Sequence, residues 1–200
     1  MKTMKENWMT VALTMAVAAL TFAACSSDDD EIGGHGDAKE IAAVAGEDFP
    51  WWRTPKTETS DPLTLFFREE LHGPYWDSDG IEHKTFFERG NYDDNPIIII
   101  NSREEFQSAY MGTKSLPEVD FSRYTLVLGR TWGNDGSYTL NKIVLRDNGQ
   151  AYELETQLLH HHYSNMAVTC AIISICYWRL YPKLAQKAII PKRTVKDVFE

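Results

Sequence analysis

Three consecutive histidines beginning at His160 are the group with the clearest chemical potential in this sequence of 200 residues. The residues before them alternate between apolar and polar, which predicts a strand whose side chains point to opposite faces in turn. His160 and His162 would then share one face, about 7 Å apart, and offer two imidazole ligands to zinc or copper. A third ligand would have to come from elsewhere, most obviously from His72 or His83. A polar strand end without a metal is the favoured alternative.

Carboxylates in the first half of the chain offer a second chemistry, because two of them could act as acid and base on a glycoside. The run from Asp77 to Gly80 shares residues with a calcium loop but lacks the twelve-residue spacing, so it predicts a turn. The common hydrolase motifs are missing from the sequence. The candidate carboxylates are Glu69, Glu70, Asp77, Asp79, Asp93 and Asp94.

Two cysteines, Cys170 and Cys176, are six residues apart in one predicted strand. They would share a face about 20 Å apart, whereas a disulfide requires Cα atoms within about 7 Å. The spacing therefore favours two buried free thiols over a disulfide bond.

Aromatic residues are concentrated in the range 49–92, which holds 10 of them. Exposed Trp and Tyr rings combine an apolar face with a polar edge and suit a sugar ring or a protein partner. Trp51, Trp52, Tyr75 and Trp76 are therefore the candidate ligand-binding residues. The alternative, which the size of the domain favours, is that these rings fill the core.

The composition narrows the class of partner. The chain has 20 basic and 29 acidic residues and a formal net charge of −9, and nucleic-acid binding requires clustered Lys and Arg. Residues 26–48 contain eight of the acids and one base, so most of the negative charge belongs to this segment. No nucleic-acid partner and no cofactor is expected, and the 43% hydrophobic content is sufficient for a folded core.

The first 24 residues have the layout of a secretory signal peptide: a basic start, an apolar run from Trp8 to Leu20, and small residues at Ala23 and Ala24. The apolar run is shorter than a transmembrane helix requires and leads directly into an acidic tract. We therefore expect residues 1–24 to be an export signal.

The stretch from Leu20 to Cys25 resembles the lipobox of bacterial lipoproteins, in which the cysteine receives a diacylglycerol. The tract Ser26–Glu31 is similar to the acidic segment that follows this cysteine in Bacteroidetes lipoproteins. The resemblance implies an acylated Cys25 that anchors the protein in the outer membrane, at the cell surface or on the periplasmic face, because two or three acyl chains hold a protein stably. Residues 25–48 would then be the lipidated cysteine and a flexible acidic tether.

Short turns and alternating residues in the second half predict an antiparallel β-meander. The apolar phase changes within the strand Tyr138–Arg146, which predicts a β-bulge near Asn141 and Lys142. The uncharged run Met166–Trp178 predicts a central strand covered on both faces. A further strand is predicted at Leu63–Arg68, and a buried strand is predicted at Ile97–Ile100. The basic residues near the C-terminus predict a face that is exposed to solvent.

The clearest helix signal is a capping box formed by Ser102 and Glu105, which predicts a helix over about 103–111. Strands on both sides of one main helix indicate an α+β class. We expect a single α+β domain over 49–200, in which this helix packs on one antiparallel meander sheet and the aromatic residues belong to the N-terminal half.

The segment from Ile97 through the strands after Phe121 resembles uncharacterised small lipoproteins of gut Bacteroidetes. The later strand order, with Gly136-Ser137-Tyr138 at a turn, is similar to the C-terminal domain of PrcB-type protease-stability proteins. Both resemblances imply an accessory or binding role without catalytic residues. The expected function is a non-enzymatic envelope lipoprotein that binds a protein or a glycan. The alternative is an envelope hydrolase that uses the carboxylates above or a His160/His162 metal site.

Overall fold

A computed structural model describes residues 38–50, 58–90, 95–163 and 171–199. The described chain is mainly β-strand with two short helices, which confirms the α+β class in its coarse form. Cys25, Trp51, Trp52 and Cys170 lie outside the described residues, as do the predicted export signal and the acidic tract. Within the described ranges, no helix is long and apolar enough to cross a membrane.

The secondary structure alternates in small blocks along the chain. The two helices are α1 (Pro62–Glu70) and α2 (Arg103–Ala109). The strands are β1 (Lys39–Ile41), β2 (Ala45–Pro50), β3 (Tyr75–Trp76), β4 (Glu82–His83), β5 (Ile97–Ile100), β6 (Tyr124–Gly133), β7 (Tyr138–Asp147), β8 (Tyr152–His162), β9 (Ile173–Pro182) and β10 (Ile189–Phe199).

The strands form two four-stranded sheets and one two-stranded ribbon, whereas the sequence predicts a single meander sheet. Sheet A has the order β1-β7-β8-β10, sheet B has the order β2-β9-β6-β5, and β3 pairs with β4. Successive strands such as β8, β9 and β10 alternate between the sheets, so their short connections do not imply neighbours in one sheet. The expectation of one sheet was wrong for this reason.

Strand β10 pairs with β8 in the parallel direction over eleven residues, and all other strand pairs are antiparallel. Between β8 and β10 the chain forms β9, which belongs to sheet B. The chain then returns to the start of β8, so that Ile189 of β10 is paired with Tyr152. The Tyr152 amide donates a hydrogen bond to the Ala188 carbonyl just before β10. The basic residues of this strand are largely exposed, in agreement with the predicted solvated face. These basic residues nevertheless belong to a regular strand, because β10 is an edge strand of sheet A along its whole length.

Sheet B is covered on both faces, because the two sets of alternating residues in β9 pack against different layers. Ile175 and Tyr177 belong to clusters shared with sheet A. Cys176 and Trp178 belong to a cluster with α1, α2 and Phe86. β9 is therefore the central strand that the uncharged run predicts, although it begins at Ile173 and the residues 164–170 lie outside the description.

The segment Leu63–Arg68 is part of α1, so the predicted strand was wrong. The Asp61 side chain caps the helix by accepting a hydrogen bond from the Thr64 amide at 2.8 Å, and Pro62 occupies the first turn. The adjacent rings of Phe66 and Phe67 are then both buried, with Leu63 and Glu70 at helical spacing on the same side. Capping chemistry outweighed the strand preference of the paired phenylalanines.

Two local predictions are confirmed. Ser102 accepts a hydrogen bond from the Glu105 amide at 3.1 Å and begins α2, which extends over Arg103–Ala109. The register between β7 and β8 shifts between Leu140 and Lys142, at the predicted bulge.

One boundary and the burial of one strand differ from the prediction. Part of the expected tether, residues 39–48, contains β1 and most of β2, which pair with β7 and β9. The charged side chains of this segment do not prevent strand pairing, because β1 and β2 are edge strands. Their acidic side chains remain accessible to solvent or form ion pairs with arginines such as Arg68 and Arg179. Ile97–Ile100 was predicted to be a buried strand, but it is an edge strand in which Ile100 is buried, Ile97 and Ile98 are half-buried and Ile99 is exposed.

Candidate functional site

A cleft of about 600 Å³ lies between α1, the ribbon β3-β4 and the helix-facing side of sheet B. Its floor is contributed by β6 and β9, and its wall by the end of α1 and the loop that follows. Aromatic and cationic side chains line it together. The lining residues are Phe49, Arg68, Leu71, His72, Gly73, Pro74, Tyr75, Trp76, Arg89, Gly90, Arg130, Trp132, Ile172, Ser174 and Cys176.

Two of the four aromatic candidates lie at this cleft. Tyr75 and Trp76 form β3, and their side chains are about half exposed, at 48% and 50%. The Tyr75 ring stacks on His83 at 5.0 Å and meets His72 edge-on at 5.1 Å. Tyr75 and Trp76 are therefore available to a ligand and are not core residues.

A short hydrogen-bonded turn holds these rings in place. Asp77 accepts hydrogen bonds from the amides of Asp79 and Ile81, as the turn prediction requires, and its other oxygen lies 2.6 Å from His83 Nε2. Gly80 adopts a φ of 76°, which favours glycine. The His83 hydrogen bond, followed by the one from the Ile81 amide, lowers the pKa of Asp77.

Three arginines line the cleft. Arg89 lies 4.7 Å above the Trp76 ring and is exposed, and no described carboxylate is within ion-pair distance of it. Arg130 is 2% exposed, stacks on Trp132 at 4.6 Å and donates to the Glu88 carbonyl. Arg68 forms an ion pair with Glu47 of β2.

The cleft offers little that could catalyse a reaction. Cys176 on the floor is a free, buried thiol, and burial raises its pKa to about 12, so it stays protonated at neutral pH. No carboxylate of the described residues lines the cleft. Of the carboxylates named from the sequence, Asp93 and Asp94 lie outside the description.

The Glu70 carboxylate does not face the cleft but contacts Tyr110 and Lys114. Burial disfavours its charged form, but hydrogen bonds from Tyr110, at 2.6 Å, and from Lys114 outweigh this effect and lower its pKa. A general acid requires the opposite, a pKa raised towards neutrality. Neither Glu70 nor Asp77 is therefore prepared for acid catalysis.

The predicted histidine pair lies elsewhere, at the C-terminal ends of β8 and β10. His160 and His162 share a face with ring centres 4.1 Å apart, and His161 lies opposite and contacts Thr139. The third group in reach is Asp197, whose Oδ1 is 3.2 Å from His160 Nδ1 and 2.8 Å from His162 Nε2. The hydrogen bonds, first that of His162, lower the pKa of Asp197.

The suggested third ligands were wrong, since His72 and His83 lie beside Tyr75. Sequence reasoning missed Asp197 because it required the parallel pairing of β10 with β8. The alternation of Val195, Asp197 and Phe199 on one face was the available signal. It also missed the arginines of the cleft, which are dispersed over 68–130 and carry no local pattern.

No protein-family model, curated protein or solved structure matches this chain.

Proposed function

We propose that this chain is an outer-membrane lipoprotein anchored through an acylated Cys25, and that its folded domain is a non-enzymatic module that binds a glycan carrying an acidic group. The lipobox and the acidic tract after it support the anchor. The cleft supports the ligand class, since it combines exposed aromatic rings with arginine side chains.

The observation that carries the proposal is the pairing of Trp76 and Arg89 at the mouth of the cleft. An indole face packs on the apolar face of a sugar ring, and its polar edge stays in contact with water. The guanidinium beside it has fixed donors that match a carboxylate. Tyr75 provides a second ring, held by its stacking on His83.

The shape of the site favours a glycan over a protein partner. The cleft has about 600 Å³, within the range of sites for small ligands. A stable protein interface instead buries about 800 Å² on each partner, usually over a flatter surface. The exposed Arg89 gives the lining a positive charge, which favours an acidic sugar over a neutral one.

The hydrolase alternative is less well supported by the cleft. Its thiol is protonated, and two of the carboxylates named from the sequence, Asp77 and Glu70, have lowered pKa values. A glycosidase requires two carboxyl groups on either side of the scissile bond. The described lining supplies none.

Binding can be tested by calorimetry on the full chain in detergent, with digalacturonic acid and its neutral counterpart galactobiose as probes. We expect digalacturonic acid to bind more tightly. Trp76→Ala and Arg89→Ala should each weaken this binding roughly tenfold, because each removes a contact of about 1 kcal/mol or more.

A matched control is available in Arg123 and Tyr124, a second arginine-aromatic pair with a separation of 5.4 Å that does not line the cleft. Arg123→Ala should leave binding unchanged. Equal affinity for the two disaccharides, or equal loss in Arg123→Ala and Arg89→Ala, contradicts an acidic glycan in the cleft. Saturable binding of a purified protein that is insensitive to Trp76→Ala would favour the protein partner.

The anchor is tested separately by mass spectrometry and by fractionation of cells. Wild-type chain should carry acyl groups on Cys25 and sediment with the outer membrane. Cys25→Ser should lack the acyl groups and leave the membrane fraction, and unchanged membrane association of this variant would contradict a lipid anchor.

A further inference from the structure

The ends of β8 and β10 bring three potential metal ligands together through the parallel register. Asp197 is directly opposite His160, and Phe199 is opposite His162. Because alternate residues share a face, Asp197 reaches both imidazoles. Its Oδ1 is 3.2 Å from His160 Nδ1 and 2.8 Å from His162 Nε2.

Neighbouring aromatic side chains fix the orientation of both histidine rings. The Tyr138 ring stacks on His160 at 4.4 Å with an interplanar angle of 9°. The Phe199 ring stacks on His162 at 4.7 Å with an angle of 13°. Rings held in this way lose little further freedom when they bind a ligand.

The far nitrogen of His160 faces another carboxylate. Its Nε2 lies 3.8 Å from Asp135 Oδ2, and Asp135 is itself fixed by hydrogen bonds from Ser137. Metal-binding histidines commonly donate their other N–H to a carboxylate, which orients the ring and increases the basicity of the ligand nitrogen. Asp135 is close enough to take this role after a small side-chain shift, since 3.8 Å is longer than a hydrogen bond.

The ligand atoms are close to the spacing that a small divalent cation requires. In a tetrahedral zinc site with Zn–N bonds of about 2.0–2.1 Å, ligand atoms are roughly 3.3 Å apart. The donor atoms of His160, His162 and Asp197 all lie within 4.8 Å of one another. Small side-chain rotations are therefore sufficient to place all three around one ion.

From this arrangement we propose that His160, His162 and Asp197 bind a zinc ion that connects the edge strand β10 to β8. The donor set of two imidazoles and one carboxylate suits zinc, whereas magnesium and calcium prefer oxygen ligands alone. The three residues do not line the cleft, so this site is independent of the proposed glycan binding. Three protein ligands leave one tetrahedral position for water.

A metal-free interpretation also exists, in which Asp197 only accepts hydrogen bonds from the two histidines. The two interpretations differ for Asp197→Asn. An asparagine oxygen still accepts hydrogen bonds but is a weaker zinc ligand than a carboxylate. The zinc interpretation therefore requires that this substitution reduce zinc affinity more than it reduces the stability of the metal-free protein.

The test is titration of the full chain in detergent with Zn²⁺ alone, followed by calorimetry and by thermal unfolding. We expect a specific site whose occupation raises the melting temperature by roughly 5–10 °C at a hundredfold excess over Kd. His160→Ala, His162→Ala and Asp197→Asn should each weaken it at least tenfold. Mg²⁺ and Ca²⁺ should give no such shift.

His161→Ala is the matched control, because the same residue type lies on the opposite face of the same strand. It should keep the zinc affinity of the wild type. Visible absorption of bound Co²⁺ provides a second measurement that does not depend on stability, and it should be lost in His162→Ala but not in His161→Ala. Equal Zn²⁺ affinity in the wild type and the His160→Ala/His162→Ala double variant would overturn the proposal.

Discussion

The cleft and the histidine cluster are built in opposite ways. The cleft combines side chains from α1, β3, β6, β9 and an intervening loop, so it exists only when the helix layer is packed on sheet B. The cluster uses two neighbouring strands in one register, with every donor on the same face. A site of the second kind depends on local periodicity, whereas one of the first kind depends on the packing of the whole layer.

This difference has an energetic consequence. The side chains below the cleft are almost fully buried, so substitutions there should affect stability and ligand binding together. The cluster lies at a half-exposed edge, where substitutions should affect metal affinity and hardly change stability. Substitutions in each region should therefore separate the two sites.

The largest effect should come from Phe67→Ala. The Phe67 ring is fully buried and stacks on Trp178 at 5.1 Å, next to Arg68 in the cleft wall. Removing it should lower the free energy of unfolding by about 3–5 kcal/mol, measured by urea denaturation. Digalacturonic acid binding should weaken, and zinc affinity of the folded protein should not change.

The matched control on the same helix is Leu65→Ala, since Leu65 is 43% exposed. It should change stability by less than about 0.5 kcal/mol. A comparable loss at both positions would show that α1 does not pack as described, and it would remove the basis for the cleft.

Gly129→Ala tests the layer between the two sheets. An added Cβ would lie 2.0 Å from the Tyr177 ring, so either β6 or Tyr177 must move. We expect a loss of about 1–3 kcal/mol in thermal or urea unfolding. Tyr177→Leu should recover part of this loss in the double variant, and ligand binding at both sites should persist. A neutral Gly129→Ala would contradict the close approach of the two residues.

Ser102→Ala should have a smaller effect, because it removes the cap of α2 and no core volume. The Ser102 hydroxyl accepts a hydrogen bond from the Glu105 amide. We expect a loss of about 1 kcal/mol, which Ser102→Asp should largely restore. α2 contributes no side chain to either site, so both affinities should stay constant.

A residue on the face of β8 opposite His160 and His162 should contribute to the free energy of unfolding in a pH-dependent way. Glu155 is 12% exposed and accepts a hydrogen bond from Arg146 at 2.7 Å and another from Thr194 of β10. The Arg146 hydrogen bond outweighs burial and lowers the pKa of Glu155 in the folded state. Its stabilising effect is therefore present above the unfolded pKa of about 4.5 and is lost as the pH falls through the folded value.

Glu155→Gln should accordingly cost about 1 kcal/mol at pH 7, and this difference from wild type should disappear in acid. Urea unfolding at a series of pH values measures it. Glu153→Gln is the control, since Glu153 is more exposed and lies 3.7 Å from Arg146. A difference that grows towards low pH would contradict the described pairing.

The comparison also explains what the sequence could predict. That His160 and His162 share one face of a strand followed from the alternation of apolar and polar residues. The Ser102 cap and the bulge near Lys142 were likewise indicated by residues close to them in sequence. The alternation of Val195, Asp197 and Phe199 did not identify the partner of Asp197, because β10 returns to sheet A only after β9 has crossed sheet B. Arg68, Arg89 and Arg130 have no shared spacing, and they meet only through tertiary packing. The same dependence on tertiary context made the adjacent Phe66 and Phe67 predict a strand, where Asp61 and Pro62 begin a helix.

The smallest effect on stability should come from Phe199→Ala. Phe199 is 81% exposed, so its removal should change the free energy of unfolding by less than about 0.5 kcal/mol. Its ring nevertheless stacks on His162, and this contact orients the imidazole for Asp197. Zn²⁺ affinity should therefore fall several-fold in calorimetry, and Phe199→Tyr should retain it. If Phe199→Ala binds Zn²⁺ as tightly as the wild type, ring stacking does not orient the site, and the register of β8 and β10 alone must supply its geometry.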